Sequence, residues 1–265
     1  MTYYTVKPSE RLKELVRFFW IFEGSASTAQ PFVHRTLANS SPELIFHFAG
    51  TFHDLLSDGG SERSFQSGVH AQTSRYRRFR TEDSFGILGA YLYPYAIPIL
   101  FGLPADELTD RLLDLSTLVT SDTRDLNEKV FSAANNSERI SIVSTWLEHR
   151  YTTAGDPRVV YAVQAILQRS GMVDVGALAR KCNVSVRQLQ RVFRDSVGLS
   201  PKKFSRIVRF NSVVRQQVGP DVSMASLGYE FGYYDQSHFI RDFTEFTGLT
   251  PGTFFSRTTD DCSAP

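Results

Sequence analysis

From residue 157 onward apolar residues recur at helical spacing, and one pattern of apolar and polar positions occurs twice. Ser185–Phe204 reads SVRQLQRVFRDSVGLSPKKF, and Asp235–Phe254 reads DQSHFIRDFTEFTGLTPGTF. In each copy a polar cap opens a helix, the apolar residues gather on one face, and the helix ends at Gly-Leu-(Ser/Thr)-Pro. The match extends upstream: Asp174 aligns with Ser223, Leu178 with Leu227, Ala179 with Gly228 and Asn183 with Gly232. After one inserted residue, Ser185 aligns with Asp235, Leu189 with Phe239 and Phe193 with Phe243. Each copy therefore predicts a capped helix, a tight turn at Asn183 or Gly232, residues that tolerate the left-handed conformation, and a second capped helix. The small Ala179 and Gly228 let the second helix cross closely over the first. That arrangement is a helix-turn-helix unit, whose second helix enters the major groove of DNA. The helices expected here are 157–169, 175–181, 186–196, 201–218, 224–231, 236–246 and 251–255, with residues 258–265 unstructured. Asp156 as cap and Pro157 at the first helical position mark the start of the series.

The first half is patterned differently. Segments 18–22, 44–48, 65–69, 76–79 and 87–93 are short, aromatic or β-branched, and separated by Gly, Ser and Pro. Many short strands with such breaks predict a barrel or sandwich. Residues 9–17 read as a short capped helix. Pro98 and Pro104 interrupt a mixed stretch, and 112–118, 123–134 and 138–149 read as a more helical end. Small polar residues at 152–156 make the best linker. The expected fold class is α+β: an N-terminal β-barrel, cupin-like domain with helices over residues 1–154, then an all-α double helix-turn-helix domain over 155–258 and a tail, 259–265.

The faces of the repeated helices carry the candidate chemistry. In the first copy Val186, Leu189, Val192 and Phe193 are expected inside. Arg187, Gln190, Arg191 and Arg194, spaced three, one and three apart, share one outward face. Guanidinium and amide groups pair bidentately with guanine and adenine edges, or clamp phosphates. In the second copy the outward set is Ser237, Ile240, Arg241 and Thr244, with Gln236 and His238 beside them. Charge supports the assignment only once the chain is divided. Residues 1–155 hold 15 Lys and Arg against 18 Asp and Glu, whereas 156–257 hold 14 against 8. A basic C-terminal part behind an acidic N-terminal part is expected when one domain meets a polyanion.

Residues 156–257 resemble the C-terminal DNA-binding domain of AraC/XylS-type bacterial transcription regulators. The resemblance is carried by LAxxxxVSxRQLQRxF at Leu178–Phe193, VGLSPKKFSRIVRF at Val197–Phe210, and GYxDQSHFIRDFxxxTGLTP ending at Pro251. It implies two units joined by a long linker helix, here beginning at Pro201, that read successive major grooves on one face of double-stranded DNA. It implies base reading by Arg187, Gln190 and Arg191, then by Gln236, Ser237, His238 and Arg241, although the family often has a larger or aromatic residue where Arg187 stands. RNA polymerase is a partner implied by the same resemblance. The N-terminal part is similar to the sensor domains of some of these regulators, through YYTVKPSERLKELVRFFWIFEG, ELIFHF and LYPYAIPILFGLPADELTDRLLDL. Such domains bind an effector, form a homodimer, or do both.

Other chemistry narrows the picture. Hydrophobic residues make up 42% of the chain, so it can bury real cores, and no apolar run reaches membrane-spanning length. Two cysteines, Cys182 and Cys262, give no disulfide framework, and the expected location is cytoplasmic. No phosphate loop or nucleophile elbow is present, so no catalytic residue and no cofactor is expected. His34, His47, His53 and His70 raise a metal hypothesis, but no close His-x-His pair supports one, and no metal ligand is assigned. Trp20, Phe22, Phe46, Phe48, Tyr91 and Tyr93 are the candidates for lining a small-molecule pocket, against an ordinary aromatic core. Two alternatives stand beside the effector-responsive regulator: a metal-binding or catalytic cupin-like domain tethered to DNA, and a constitutive regulator whose N-terminal domain only dimerises.

Overall fold

The structure is a computed structural model describing residues 1–119, 121–216 and 224–256. The first part is built on β2 (Val16–Gly24), whose neighbours β1 (Thr2–Val6) and β9 (Phe85–Leu92) run antiparallel to it. Next to β9 come β4 (Glu43–Ala49), β7 (Ser67–His70) and β10 (Leu112–Asp114), giving a six-stranded sheet of order β1-β2-β9-β4-β7-β10. A second sheet has the order β3-β8-β5-β6, from β3 (Phe32–Thr36), β5 (His53–Leu55), β6 (Ser61–Arg63) and β8 (Arg77–Thr81). The strand segments expected at 18–22, 44–48, 65–69, 76–79 and 87–93 all fall on strands, with ends shifted by a few residues.

Period-two alternation divides the large sheet into two faces. Trp20, Phe22, Ile45, Ile87 and Tyr91 turn toward the second sheet and pack with its Phe79. Leu44, Phe46 and Leu88 turn the other way, into a core shared with the helices that follow. Those helices are α1 (Ala96–Phe101), α2 (Leu115–Leu118), α3 (Thr123–Ser132) and α4 (Asn136–Arg150).

Two expectations fail here. Residues 9–17 are not a helix: i→i+3 turns bury Leu12 and Leu15, and the chain is already extended at Val16, which pairs with Leu92. Residues 112–118 are not helical throughout, because Leu112–Asp114 pairs with Gly68–His70 as an edge strand before α2 begins. Pairing with distant strands overrides local pattern in both cases.

The second part is helical: α5 (Pro157–Gln168), α6 (Val175–Lys181), α7 (Val186–Val197), α8 (Pro201–Val214), α9 (Met224–Glu230), α10 (Gln236–Thr247) and α11 (Pro251–Ser256). Helix α8 is the spine. Its Phe204, Ile207, Phe210 and Val213 are completely buried, and so are Phe193 of α7 and Phe243 and Phe246 of α10. Phe204 meets Phe193 edge-on at 5.4 Å, and Phe210 meets Phe243 at 5.3 Å, so one helix seats both neighbours. The last two positions of the helix expected at 201–218, and the tail 258–265 with Cys262, lie outside the described residues.

Candidate nucleic-acid interface and barrel cavity

The caps expected at Asp174, Ser185 and Asp235 form, while Ser223, the counterpart of Asp174, lies outside the described residues. Asp174 accepts from the Ala177 N–H, opening α6. Ser185 and Gln188 form a reciprocal capping box at the start of α7. Asp235 accepts from the His238 N–H at 2.7 Å and opens α10. Asn183 and Gly232 both have the left-handed backbone that the turns require, at φ 54° and 69°. Helices α7 and α10 end on Gly198 and Gly248, again left-handed. In the second unit a Cβ at Gly228 would lie 3.4 Å from Phe239, so α9 and α10 do cross closely there.

On α7, Leu189 and Phe193 are buried while Arg187, Gln190, Arg191 and Arg194 are exposed. Val186, expected inside, is instead 41% exposed: at the first turn of α7 the neighbouring helix does not reach it. Arg194 does not simply face solvent, because its Nε lies 3.5 Å from Asp106 in the N-terminal part. On α10, Gln236, Ser237, Ile240, Arg241 and Thr244 are exposed. His238 is only half-exposed; it packs edge-on against Tyr233, with Nε2 3.7 Å from Asp242. Tyr234, just before the Asp235 cap, is 87% exposed beside this face, and sequence reasoning missed it.

The α10 helix is fixed to the spine by charge as well as packing. Asp242 is fully buried, and the Arg206 guanidinium of α8 meets it at 2.6 Å and Glu245 at 2.8 Å. These partners hold Arg206 firmly protonated.

Both helix-ending glycines are gripped by the N-terminal part. Thr109 Oγ1 donates to the Gly198 carbonyl at 2.8 Å. The Tyr76 ring covers Gly248, Arg35 donates to the Thr247 carbonyl at 2.9 Å, and the Ala38 N–H donates to the Phe246 carbonyl.

Between the two sheets lies a cavity of about 160 Å³. Of the six aromatic candidates, Trp20, Phe22 and Tyr91 line it. Phe46 and Phe48 do not: they occupy alternate positions of β4 and point to the helices, where Phe48 carries the Arg139 guanidinium over its ring. Tyr93 stacks on Tyr95 against the helical core. The residues that sequence reasoning missed are the polar partners in register with the aromatics. Across the sheet Tyr91 pairs with Glu43, and Glu43 with His70. His34 and His47 also reach the cavity, whereas His53 is exposed. The signal was parity: Glu43, Ile45 and His47 alternate with Leu44, Phe46 and Phe48. Among the described residues, no group of three or more His, Cys, Asp or Glu is placed to hold a metal ion.

The cavity's electrostatics follow from burial. Burial holds His34 and His47 at a pKa of about 4, and His70 at about 3. Burial also pushes Glu43 up to about 7, moderated by the hydrogen bond from Asn39 Nδ2 at 3.0 Å. The Trp20 indole N–H faces this carboxyl and eases its ionisation without completing a hydrogen bond of ordinary geometry. Asn211, Val214 and Arg215 of the spine helix and its end also line the cavity.

Comparison with known proteins assigns the two parts. Residues 178–257 match a family model described as a helix-turn-helix domain, and residues 4–114 match a domain of unknown function. The C-terminal part thus carries a helix-turn-helix domain. Among its relatives is the transcriptional activator RhaS of Pectobacterium atrosepticum, 25% identical over 150 residues, or 55% of this chain and 52% of that protein. Another is the probable transcription factor PqrA of Proteus vulgaris, 27% identical over 88 residues, 33% of this chain and 72% of that protein. The chain thus spans about half the length of the first of these relatives. ToxT from Vibrio cholerae is 12% identical with a TM-score of 0.46, covering 89% of this chain and 97% of that one. No helix among the described residues is long and apolar enough to cross a membrane.

Proposed function

We propose that the protein is a sequence-specific, DNA-binding transcription regulator that inserts α7 and α10 into successive major grooves. The observation that carries this reading is the pair of capped units on one spine helix, each turning an exposed polar face outward. Arg187, Gln190, Arg191 and Arg194 form the first reading face, and Gln236, Ser237, His238 and Arg241 the second. The first is rich in guanidinium groups and dominates affinity, while the second adjusts specificity. Residues 155–258 act as the reading domain and 1–154 as the sensor, in the cytoplasm, with RNA polymerase and a second copy of the chain as partners and with no catalytic step. The sensing site is the cavity between the sheets, because the end of the helix that carries the second unit lines it. An occupant there touches α8 directly.

Selecting bound sites from random duplexes defines an operator, and fluorescence anisotropy on that operator then tests the reading. Arg191→Ala is expected to lose about 1–3 kcal/mol of specific binding, roughly 5- to 150-fold. Unchanged operator affinity in that variant rules the reading face out.

A further inference from the structure

The cavity between the sheets holds a buried carboxyl that the described residues leave without a cationic partner. Glu43 lines it, hydrogen-bonded to Asn39, and no cationic nitrogen among the described residues comes within ion-pairing distance of the carboxylate. Arg77, the arginine of the facing sheet that lines the cavity, is already matched by Asp54 at 2.7 Å. Arg215 lines the cavity from the end of the spine helix. An unpaired carboxylate in such a place is costly unless something supplies the opposite charge.

The walls around Glu43 suit an organic cation. Trp20 lies flat across Gly89, so closely that a Cβ there would sit 2.0 Å from the indole, and this leaves a broad aromatic floor. Tyr91 lies beside Glu43 in the sheet register, its own ring already stacked by Phe18 at 4.9 Å and capped by the Arg17 guanidinium at 5.3 Å, so the free aromatic face is that of Trp20. Aromatic faces attract ammonium groups, most strongly when water is excluded. His47, only 8% exposed, lines the cavity with both ring nitrogens unpartnered, and Nε2 of His70 is unpartnered too. Neutral imidazoles offer lone pairs to N–H donors. A cavity of about 160 Å³ is the size that takes a single aromatic ring.

We propose that the effector is a small organic amine, bound as a cation with its ammonium group on Glu43 and its apolar body on Trp20. This deepens the reading of the cavity as the sensing site and rests on it. The bound amine closes against Val214 and Arg215, so occupancy is transmitted to the spine helix.

Calorimetric titration of the full chain tests the assignment with benzylamine, its neutral isostere benzyl alcohol, and benzoate. Benzylamine is expected to bind saturably at pH 8, at least tenfold more tightly than the alcohol, with benzoate weakest. Glu43→Gln is expected to reduce benzylamine to the level of the alcohol while leaving the alcohol within threefold of its original affinity. A second measurement needs no variant. Between pH 6 and pH 8 the benzylamine affinity rises about tenfold as Glu43 ionises, and the alcohol affinity does not. Among the other groups facing the site, burial keeps His34, His47 and His70 neutral in this window, Tyr3 is raised to about 12 and Tyr91 is raised; the guanidinium groups there belong to Arg77 and Arg215, with Arg17 over the Tyr91 ring. Preferred binding of the alcohol or benzoate overturns the amine assignment and leaves the cavity as an effector site for another ligand. Amine preference that survives Glu43→Gln, or no binding by benzylamine, phenethylamine and cyclohexylmethylamine alike, overturns it as well. None of these outcomes depends on DNA, so the reading faces stand or fall separately through Arg191→Ala.

Discussion

Three histidines folded in the neutral state make the barrel sensitive to acid. His34 and His47 titrate near 4 and His70 near 3, against about 6.5 when the chain is unfolded. Below pH 6.5 the unfolded chain therefore binds more protons than the folded one, and the stability these residues contribute is lost as pH falls toward 4. These shifts set upper limits of about 3 kcal/mol each for His34 and His47 and about 5 kcal/mol for His70. Glu43 has the opposite sign: raised to about 7, its contribution is present below 4.5 and lost as pH rises through 7. Three groups outweigh one, so the melting temperature is expected to be lower at pH 5 than at pH 7. His47→Gln should reduce that difference, and an unchanged pH profile in the variant would show that this imidazole is not what titrates. The histidines were visible in the sequence, but their convergence was not, because it depends on which strand faces which.

At the level of elements, the reading domain was almost wholly legible. Caps, left-handed turn residues and apolar faces are all local, and Asn183, Gly232, Gly198 and Gly248 take the backbone that their identity suggests. What escaped was how α10 is held. Asp242 is fully buried against Arg206, thirty-six residues away in the chain, a pairing no local spacing marks. Removing the guanidinium would leave a carboxylate buried without compensation. Arg206→Met is expected to cost about 3 kcal/mol, at the lower end for a broken buried pair because Arg206 is itself a quarter exposed. Chemical denaturation measures the loss. Double substitution with Asp242→Leu should recover part of it, which a role for Arg206 in DNA contact alone would not produce.

Across the whole molecule, the N-terminal part holds the C-terminal ends of both reading helices, at Gly198 through Thr109 and at Thr247 and Gly248 through Arg35 and Tyr76. The same surface engages Arg194 through Asp106. That ion pair is largely solvent-exposed, so it is worth no more than about 1 kcal/mol. Asp106→Asn frees the guanidinium for phosphate and removes a negative charge beside the DNA. Affinity for duplexes of any sequence is expected to rise by up to about fivefold, with a steeper salt dependence, as anisotropy titrations at two salt concentrations would show. A fall in affinity would mean that the pair aims Arg194 at DNA instead of withholding it.

The sequence by itself determined the double helix-turn-helix, its caps and turns, and the outward basic face of α7, because these depend on spacings of three and four residues within one helix. It also determined that the first part is rich in strands. The tertiary structure alone decided which face of each strand lines the cavity, that residues 112–114 pair as an edge strand, and that Glu43 sits with three neutral histidines. Those outcomes depend on pairing between segments far apart in the chain, and a strand's two faces look alike until its partners fix the register. Trp20 and Phe46 were equally plausible pocket residues in the sequence. Only the opposing sheet separates them, placing Trp20 at the cavity and Phe46 in the core beneath the helices.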